Sequence, residues 1–335
     1  MFKKISFIPF IIMSCFVINV SKAASVYDNS ISALNINMLT QNLMSYTHQG
    51  EYLSQIFGNK KVYGTMTRFD EYGDDGSTLK SNQNKEDSDN FLLKDIWANV
   101  QIIDTKAHYA PLISERSRFN LFTIGTETQN INLTYGDISF GGFVGYITGD
   151  VREYDSNGNH LGLFARYEYK DFDITAMVNN GSINNDSNFN DFNNAWFNVA
   201  MDTSWKIKID NTFYFQPQIY AGYTWISSDN LYLNGDNISS KNFMLLNIAP
   251  GARFVKNIVD DWYAAMSVKY TATIGDDKDI YVNGIKYNGV SLDNYVEAGI
   301  DLEYDYEQFI FTGAVHKQIG GFDGWVGNIN VKYLF

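Results

Sequence analysis

The sequence has little of what a disulfide-bonded, thiolate-binding or helical membrane protein requires. Its 335 residues include four prolines and a single cysteine, Cys15. Cys15 lies in a stretch with the features of an export leader, so the cleaved chain could form no disulfide, thiolate metal site or cysteine nucleophile. Beyond that leader, no segment offers the roughly 18 or more consecutive apolar residues that a membrane-spanning helix needs.

Charge is also scarce, and most of it is acidic. Charged residues make up 19% of the chain, whereas soluble globular proteins usually carry about 25%. Cleavage of the leader removes Lys3, Lys4 and Lys22, which leaves 22 basic against 38 acidic residues and a net charge of −16. Such a surface argues against nucleic acid as a partner, because nucleic-acid binding needs clustered Lys and Arg to offset phosphates.

Residues 1–23 are predicted to be a cleaved signal peptide. Lys3 and Lys4 precede an apolar core over residues 5–20, and Ser21-Lys22-Ala23 resembles a small-residue cleavage site. A lipoprotein leader would use Cys15 instead, but the residues after Cys15 remain apolar, which favours ordinary cleavage.

Residues 24–60 are predicted to hold a short segment and one α-helix, over 29–57. Helical spacing aligns a stripe of apolar side chains, while the other faces carry Asn, Gln, Ser and Thr. Such a helix suits a wet, polar interior, and an exposed surface helix is the alternative. The stripe comprises Ile31, Leu34, Met38, Leu43, Tyr46, Leu53 and Ile56.

From residue 61 to 335 the chain repeats segments of about ten residues in which apolar and polar side chains alternate. Because successive side chains of a strand point to opposite faces, each segment would present one apolar and one polar face. Aromatic residues reach 16%, and many stand near the ends of these segments, as in the interfacial girdles of membrane barrels. In the last segment the apolar face carries Trp325, Ile329, Val331, Tyr333 and Phe335.

These patterns predict an all-β fold, a 12-stranded antiparallel transmembrane β-barrel of the outer membrane. Connections alternate between long and short, which predicts periplasmic turns and outer loops. Residues 94–104 also alternate, but a thirteenth strand would place the barrel ends on opposite sides, so we expect a loop extension there. A soluble all-β sandwich would leave the loop asymmetry and the aromatic C-terminus unexplained. The predicted strands are 61–70, 118–129, 137–149, 160–170, 172–182, 194–207, 212–226, 243–257, 262–274, 294–305, 308–318 and 324–335.

Seven charged residues fall on the polar faces and are expected to line the lumen. Water in the lumen tolerates them, whereas lipid penalises each charge by several kcal/mol. They could pair across the barrel or hold the helix at Asn37, Gln41 or Gln49, and the alternative is that they only hydrate a channel. The seven are Arg166, Arg253, Lys269, Glu297, Asp301, Glu303 and Lys332.

No catalytic or metal-binding motif is evident, so neither an enzyme nor a cofactor is predicted. His48, His108, His160 and His316 show no metal-ligand spacing, and no G-x-S-x-G nucleophile motif occurs. An acidic loop at residues 71–76 lacks the bidentate Glu of a calcium site.

The pattern resembles the autotransporter β-domain family of type V secretion. The resemblance spans residues 29–335 and rests on a polar helix leading into twelve strands, on two internal segments and on the ending. The internal segments are FNLFTIGTET at 119–128 with GGFVGY at 141–146, and the proline-containing FQPQIYAGY at 215–223. The ending is Gly-Trp-Val-Gly-Asn from Gly324 and Tyr-Leu-Phe at Phe335.

The resemblance implies a barrel with its N-terminal helix in the lumen, which exports an N-terminal segment to the cell surface. It also implies that Tyr333 and Phe335 belong to a signal read by the outer-membrane assembly machinery, although Phe335 could be only an interfacial aromatic. Membrane lipid would be the other partner. Few residues separate the leader from the helix, so we expect no passenger domain. A passive porin-like channel, or an adhesin acting through loops 71–117, 227–242 and 275–293, are the alternative functions.

Overall fold

The computed structural model describes the chain from residue 93 to the C-terminus, with short gaps. The described residues are 93–109, 113–151, 154–186, 191–233, 236–240, 242–259, 261–275, 280–287 and 294–335. The predicted leader, helix and strand at 61–70 therefore lie outside them. No helix in these ranges is long and apolar enough to cross a membrane.

Within the described ranges, twelve long strands make up the main sheet. Two short strands, Ile131–Leu133 and Ile207–Lys208, pair with neighbours in the same sheet. The long strands are β1 (Leu93–Tyr109), β2 (Ile113–Thr128), β3 (Gly136–Val151), β4 (Tyr154–Tyr169), β5 (Phe172–Asp186), β6 (Asp191–Trp205), β7 (Phe213–Ser228), β8 (Phe243–Val259), β9 (Trp262–Gly275), β10 (Tyr295–Tyr306), β11 (Phe309–Gly320) and β12 (Phe322–Leu334).

The twelve strands form a closed antiparallel ring. Each pairs with its neighbours in chain order, and β1 also pairs with β12, from Asp95 opposite Leu334 to Ala107 opposite Phe322. Closure leaves no open edge in the barrel, so the backbone groups of every strand find partners on both sides. The predicted twelve-stranded antiparallel barrel is confirmed.

The prediction for the first strand was wrong. The ring position expected for residues 61–70 is taken by β1, so residues 94–104 are a barrel strand and not a loop extension. The alternation of Ile96, Val100 and Ile102 with polar residues does indicate a strand. The loop extension was expected because a thirteenth strand would make the number of strands odd. That argument failed because residues 94–104 replace 61–70 as the first strand, which keeps the number even.

The connections divide between two ends of the barrel. At the turn end, where β1 starts and Phe335 lies, two-residue connections follow β4, β8 and β10, and Lys170 and Glu307 there adopt φ of 54° and 50°. At the loop end lie the two longest connections, 229–242 and 276–294. The strands run further towards this end than predicted: β3–β4 and β5–β6 occupy most of the loops expected at 150–159 and 183–193.

The two long connections join in a second sheet at the loop end. Its four antiparallel strands are Leu231–Leu233, Asp236–Ser240, Ile280–Val282 and Ile285–Tyr287. Asn237 and Asn283 secure the junction, because the Asn237 N–H donates to Asn283 Oδ1 at 2.9 Å and the Asn283 N–H donates to the Asn237 carbonyl at 2.8 Å. Paired residues 40 or more positions apart in sequence thus form one surface structure.

At the turn end, the connection between β6 and β7 is held by an aspartate. Asp210 Oδ1 accepts hydrogen bonds from the Thr212 N–H at 2.7 Å and from its hydroxyl at 3.0 Å. These bonds favour the ionised carboxylate, and the Thr212 N–H in particular lowers the pKa of Asp210 below its ordinary value.

The two faces of the barrel differ in composition as the alternation predicted. Large apolar side chains cover the outer surface, with Leu163, Ile300 and Ile329 all more than half exposed. The inner face carries most of the buried polar residues. This apolar outside and polar inside is the distribution that lipid around the barrel and water within it require.

Several inward glycines make room for an aromatic ring on a neighbouring strand. A Cβ at Gly141 would overlap the ring of Phe164, one at Gly125 would overlap Trp97, and one at Gly145 would overlap His160. Paired strands lie under 5 Å apart, so a bulky inward ring can lie across its neighbour only where that neighbour has no side chain.

Replacing one of these glycines is expected to destabilise the barrel. Gly141→Ala should cost about 1–3 kcal/mol, because the Phe164 ring must leave its position in a packed interior. Urea unfolding in lipid vesicles, followed by tryptophan fluorescence, would measure this cost. Gly313→Ala is the control, since a Cβ there meets no atom within 4 Å; equal costs at both sites would contradict the close-approach explanation.

Candidate functional site

The lumen is the candidate functional site, because it collects the charged side chains of the described strands. The structure places all seven charged residues singled out from the sequence on the inner face, and none is more than 6% exposed. They are Arg166, Arg253, Lys269, Glu297, Asp301, Glu303 and Lys332.

One group of these charges lies on the wall formed by β8 to β11. Arg253 Nη2 lies 3.0 Å from Asp301 Oδ2, and Lys269 Nζ lies 3.4 Å from Glu297 Oε1. His316 links the two pairs, with Nδ1 3.3 Å from Glu297 Oε1 and Nε2 2.8 Å from Asp301 Oδ1. Only a doubly protonated imidazole can donate hydrogen bonds to both carboxylates, so this geometry suits a cationic His316.

A second group lies near the turn end and crosses the closure between β12, β1 and β2. Lys332 Nζ lies 2.7 Å from Asp95 Oδ2 and 3.8 Å from Glu127 Oε2. The Ser139 hydroxyl donates to Glu127 Oε1 at 2.5 Å. Ion pairing therefore joins the first and last strands inside the barrel, in addition to their backbone hydrogen bonds.

Arg166, on β4, has carboxylates on its own strand and the next one. Its Nη2 lies 2.5 Å from Glu168 Oε1 and 2.9 Å from Asp173 Oδ2. Arg166, Arg253, Lys269 and Lys332 thus each contact a carboxylate of the barrel wall. The ion pairs join adjacent or next-but-one strands of the wall and do not span the barrel, while the helix partners expected at Asn37, Gln41 and Gln49 lie outside the described residues.

An apolar patch in the lumen was missed by the sequence analysis. Trp97, Phe143, Phe164 and Met177 form one buried cluster on the inner face of β1 to β5. The rings of Trp97 and Phe143 lie 6.3 Å apart. The available signal was glycine at every second position of one face of β3, at 141, 145 and 149, which leaves space for large neighbours.

The residues assigned to the assembly signal lie on the outer face of β12. Trp325 and Ile329 are 55% and 65% exposed, and Phe335 is 69% exposed. The Tyr333 ring lies 5.1 Å from the Phe309 ring in a tilted contact and meets Phe335 edge-on at 5.3 Å. The Phe335 N–H donates to the Lys94 carbonyl at 3.1 Å. Val331 shares this face and is half-buried. The C-terminal residue is thus tied to the start of β1.

Metal-ion chemistry has no evident site in the described ranges. No group of three or more His, Cys, Asp or Glu there could hold a metal ion. His316 is held between two carboxylates, and His160 packs at 5.9 Å from the Phe143 ring with Nε2 3.2 Å from the Thr123 hydroxyl.

The closed twelve-stranded barrel can be set beside protein families of known architecture. The family model described as the autotransporter β-domain matches residues 113–314, more than half of the chain. The chain belongs to the autotransporter β-domain family. The family resemblance drawn from the sequence is therefore confirmed, although no curated protein matches the chain in a whole-sequence search.

Solved autotransporter barrels share the fold at low sequence identity. The β-domain of the Bordetella autotransporter BrkA is 13% identical with a TM-score of 0.56, and covers 72% of this chain and 100% of its own. The transport unit of AIDA-I from Escherichia coli is 12% identical with a TM-score of 0.59, with coverages of 81% and 97%. The translocator domain of NalP from Neisseria meningitidis is 11% identical with a TM-score of 0.58, with coverages of 74% and 90%.

Membership of this family makes the chain an outer-membrane autotransporter barrel, a transport domain. The apolar outer face and the closed ring agree with an integral position in the outer membrane.

Proposed function

We propose that this autotransporter barrel carries an N-terminal part of its own chain through its lumen to the cell surface, after cleavage of the leader at residues 1–23. The main observation in support of this proposal is the closed ring of twelve strands with a polar, ion-paired interior. A polypeptide crossing the membrane needs such an interior, because lipid cannot satisfy the hydrogen bonds of an unfolded backbone.

The position of the chain at the turn end supports this route. β1 starts at that end, where the Phe335 N–H donates to the Lys94 carbonyl, so the barrel wall begins at this mouth of the lumen. The short turns between β4 and β5, β8 and β9, and β10 and β11 lie at the same end. In barrels of this class short turns face the periplasm, so the upstream chain would enter from the periplasm and leave at the loop end.

Surface labelling of a short epitope tag would test the export. With the tag after Val26, intact cells should bind the antibody, and external protease should remove the tag. With the tag between Lys170 and Asp171, in a turn assigned to the periplasm, labelling should require permeabilised cells. A tag after Val26 that becomes accessible only on permeabilisation would contradict the proposed function.

The proposed partner in biogenesis is the outer-membrane assembly machinery, with membrane lipid around the finished barrel. The support is the exposed apolar face of β12, which ends at Phe335. We expect Phe335→Ala to lower the amount of heat-modifiable barrel in outer-membrane fractions several-fold, while the purified variant refolds normally in detergent. Phe197→Ala, which removes an outward aromatic from β6, away from the C-terminal strand, is the control. A Phe335→Ala barrel that assembles like wild type in cells would contradict recognition of the C-terminus.

A further inference from the structure

A cluster of basic side chains lies on the outer face of the barrel at the loop end. It consists of Lys106 on β1, Arg116 and Arg118 on β2, and Lys317 on β11, and we call it the basic patch. Strand register brings the first three together, because Lys106 is paired with Arg116 and Asp104 with Arg118. The two arginine side chains are 67% and 52% exposed, so the surroundings of the barrel can reach them.

Two carboxylates hold the basic patch in place without neutralising it. Arg116 donates from Nε to Asp104 Oδ1 at 2.7 Å and from Nη2 to Asp104 Oδ2 at 2.6 Å, and Arg118 Nη2 donates to the same Oδ2 at 3.3 Å. Asp323, on β12, pairs with Lys317. Four cations and two carboxylates leave an excess of two positive charges on these four strands. Each guanidinium has five N–H donors, and these bonds use only some of them.

The basic patch begins where the apolar belt of the outer face ends. Ile102 and Phe122, 49% and 50% exposed, belong to that belt, and Asp104 follows Ile102 on the outer face of β1. Trp325 on β12 is 55% exposed and pairs in register with Asp104, and Lys317 Nζ lies 5.3 Å from its ring. Exposed tryptophan is typical of the boundary between hydrocarbon and headgroups. The patch therefore lies at the height of the headgroups on the loop-end side of the membrane.

The neighbouring part of the same rim carries the opposite charge. Asp150, Asp155, Asp186 and Asp191 are exposed and are paired in register across β3 to β6. Asp150 also lies opposite Arg118, so the basic patch ends at β3. Like charges repel an approaching anion, so an anionic headgroup would be directed away from the aspartates and towards β1 and β2.

Phosphate is the anion that suits the basic patch best. The planar fork of N–H donors in arginine matches the oxygens of a phosphate group, and lysine binds phosphate as a compact charge. A phosphorylated lipid would gain a second contact, because its acyl chains would pack on Ile102 and Phe122 while its phosphate meets Arg116 and Arg118. A free phosphate ion would gain nothing from the apolar belt.

We propose that the basic patch binds the phosphate groups of a phosphorylated glycolipid of the outer leaflet, of the lipid A class, with the acyl chains on the apolar side chains beside the patch. A glycolipid with two phosphates can contact the arginines of β2 and the lysines of β1 and β11 together. This partner goes beyond the proposed function and shares with it only the assignment of the loop end to the cell surface.

Native mass spectrometry of the full chain in a maltoside detergent, titrated with bisphosphorylated lipid A, tests the proposal. Arg116→Gln with Arg118→Gln should raise the Kd for lipid A about tenfold or more, because charge-assisted hydrogen bonds to phosphate are lost. Lys106→Gln, at an exposed position, is a second variant and should raise the Kd several-fold. A heat-modifiability gel on each variant shows that the barrel has folded.

The matched control removes two exposed cations at the turn end. Lys170→Gln with Lys256→Gln should leave the Kd for lipid A unchanged, because neither residue lies near the basic patch. The proposal is overturned if this pair weakens binding as much as the arginine pair does.

Two further probes identify the source of the phosphate. Lipid A from which both phosphates have been removed should bind wild type as weakly as intact lipid A binds the arginine variant. Inorganic phosphate at about 10 mM should not displace lipid A, because it makes no apolar contact. Equal binding of the dephosphorylated lipid, or displacement by inorganic phosphate, would contradict a lipid phosphate site. Export is measured separately by the tag after Val26, so loss of lipid binding and loss of export are distinguishable.

Discussion

Deletion of residues 29–57 is expected to turn a nearly closed barrel into a steadily conducting one. In planar bilayers the full chain should show brief, small openings, and the deleted chain should show large, steady ones, because twelve strands enclose a lumen that the predicted helix would fill. The open pore should prefer cations. Inward carboxylates outnumber the basic side chains Arg166, Arg253, Lys269 and Lys332, and they include Asp95, Glu127, Asp173, Asp202, Glu297, Asp301 and Glu303.

The reversal potential under a KCl gradient would measure this selectivity. A second deletion, of residues 71–90, is the control, because this polar stretch has no apolar stripe with which to fill a lumen. It should leave the small openings unchanged. Equal conductance of the full chain and the chain lacking 29–57 would remove the role of that segment as a plug and would favour a passive channel.

Lys332→Met is expected to destabilise the closed barrel by about 3–5 kcal/mol. The substitution keeps the length of the side chain but leaves Asp95 and Glu127 buried without their shared cation, at the closure between β12 and β1. Urea unfolding in vesicles would give the free energy of unfolding. On gels, the folded species should be lost at a lower temperature than in wild type.

A Lys→Met substitution on the neighbouring strand β11 shows how much of this cost depends on burial of the ion pair. Lys317 pairs with Asp323 on the outside of the barrel, where both side chains are substantially exposed. Lys317→Met should therefore cost about 1 kcal/mol or less. Combining Lys332→Met with Asp95→Leu should recover part of the loss, because one buried carboxylate is removed along with its cation. If the two lysine variants unfold at the same urea concentration, the buried pair does not stabilise the closure.

Local alternation explains why so much of the barrel could be predicted. In a strand with lipid on one side and water on the other, apolar and polar side chains must alternate. The neighbouring residues Ile329 and Asn330 are therefore enough to show which face is outward and which is inward. The same argument placed His316 and the seven charged residues inside. Turn position followed from where alternation stops, as at Asp171 between β4 and β5.

Pairing between distant strands could not be predicted in this way. Residues 61–70 and 94–104 both alternate, and only the register of β1 with β12 shows which of them the ring contains. The contacts in the lumen are non-local as well: Lys332 and Asp95 are 237 residues apart, and the Gly141–Phe164 contact requires β3 to lie beside β4. The second sheet joins connections separated by the whole β8–β9 hairpin.

By itself, the sequence determined the strand class and the face on which each side chain of a strand lies, because these depend on a two-residue period that every segment carries internally. Only the tertiary structure decided which segment closes the ring and which charged side chains of the lumen pair with one another. Those features depend on the register between strands, and register is set by contacts across the whole barrel.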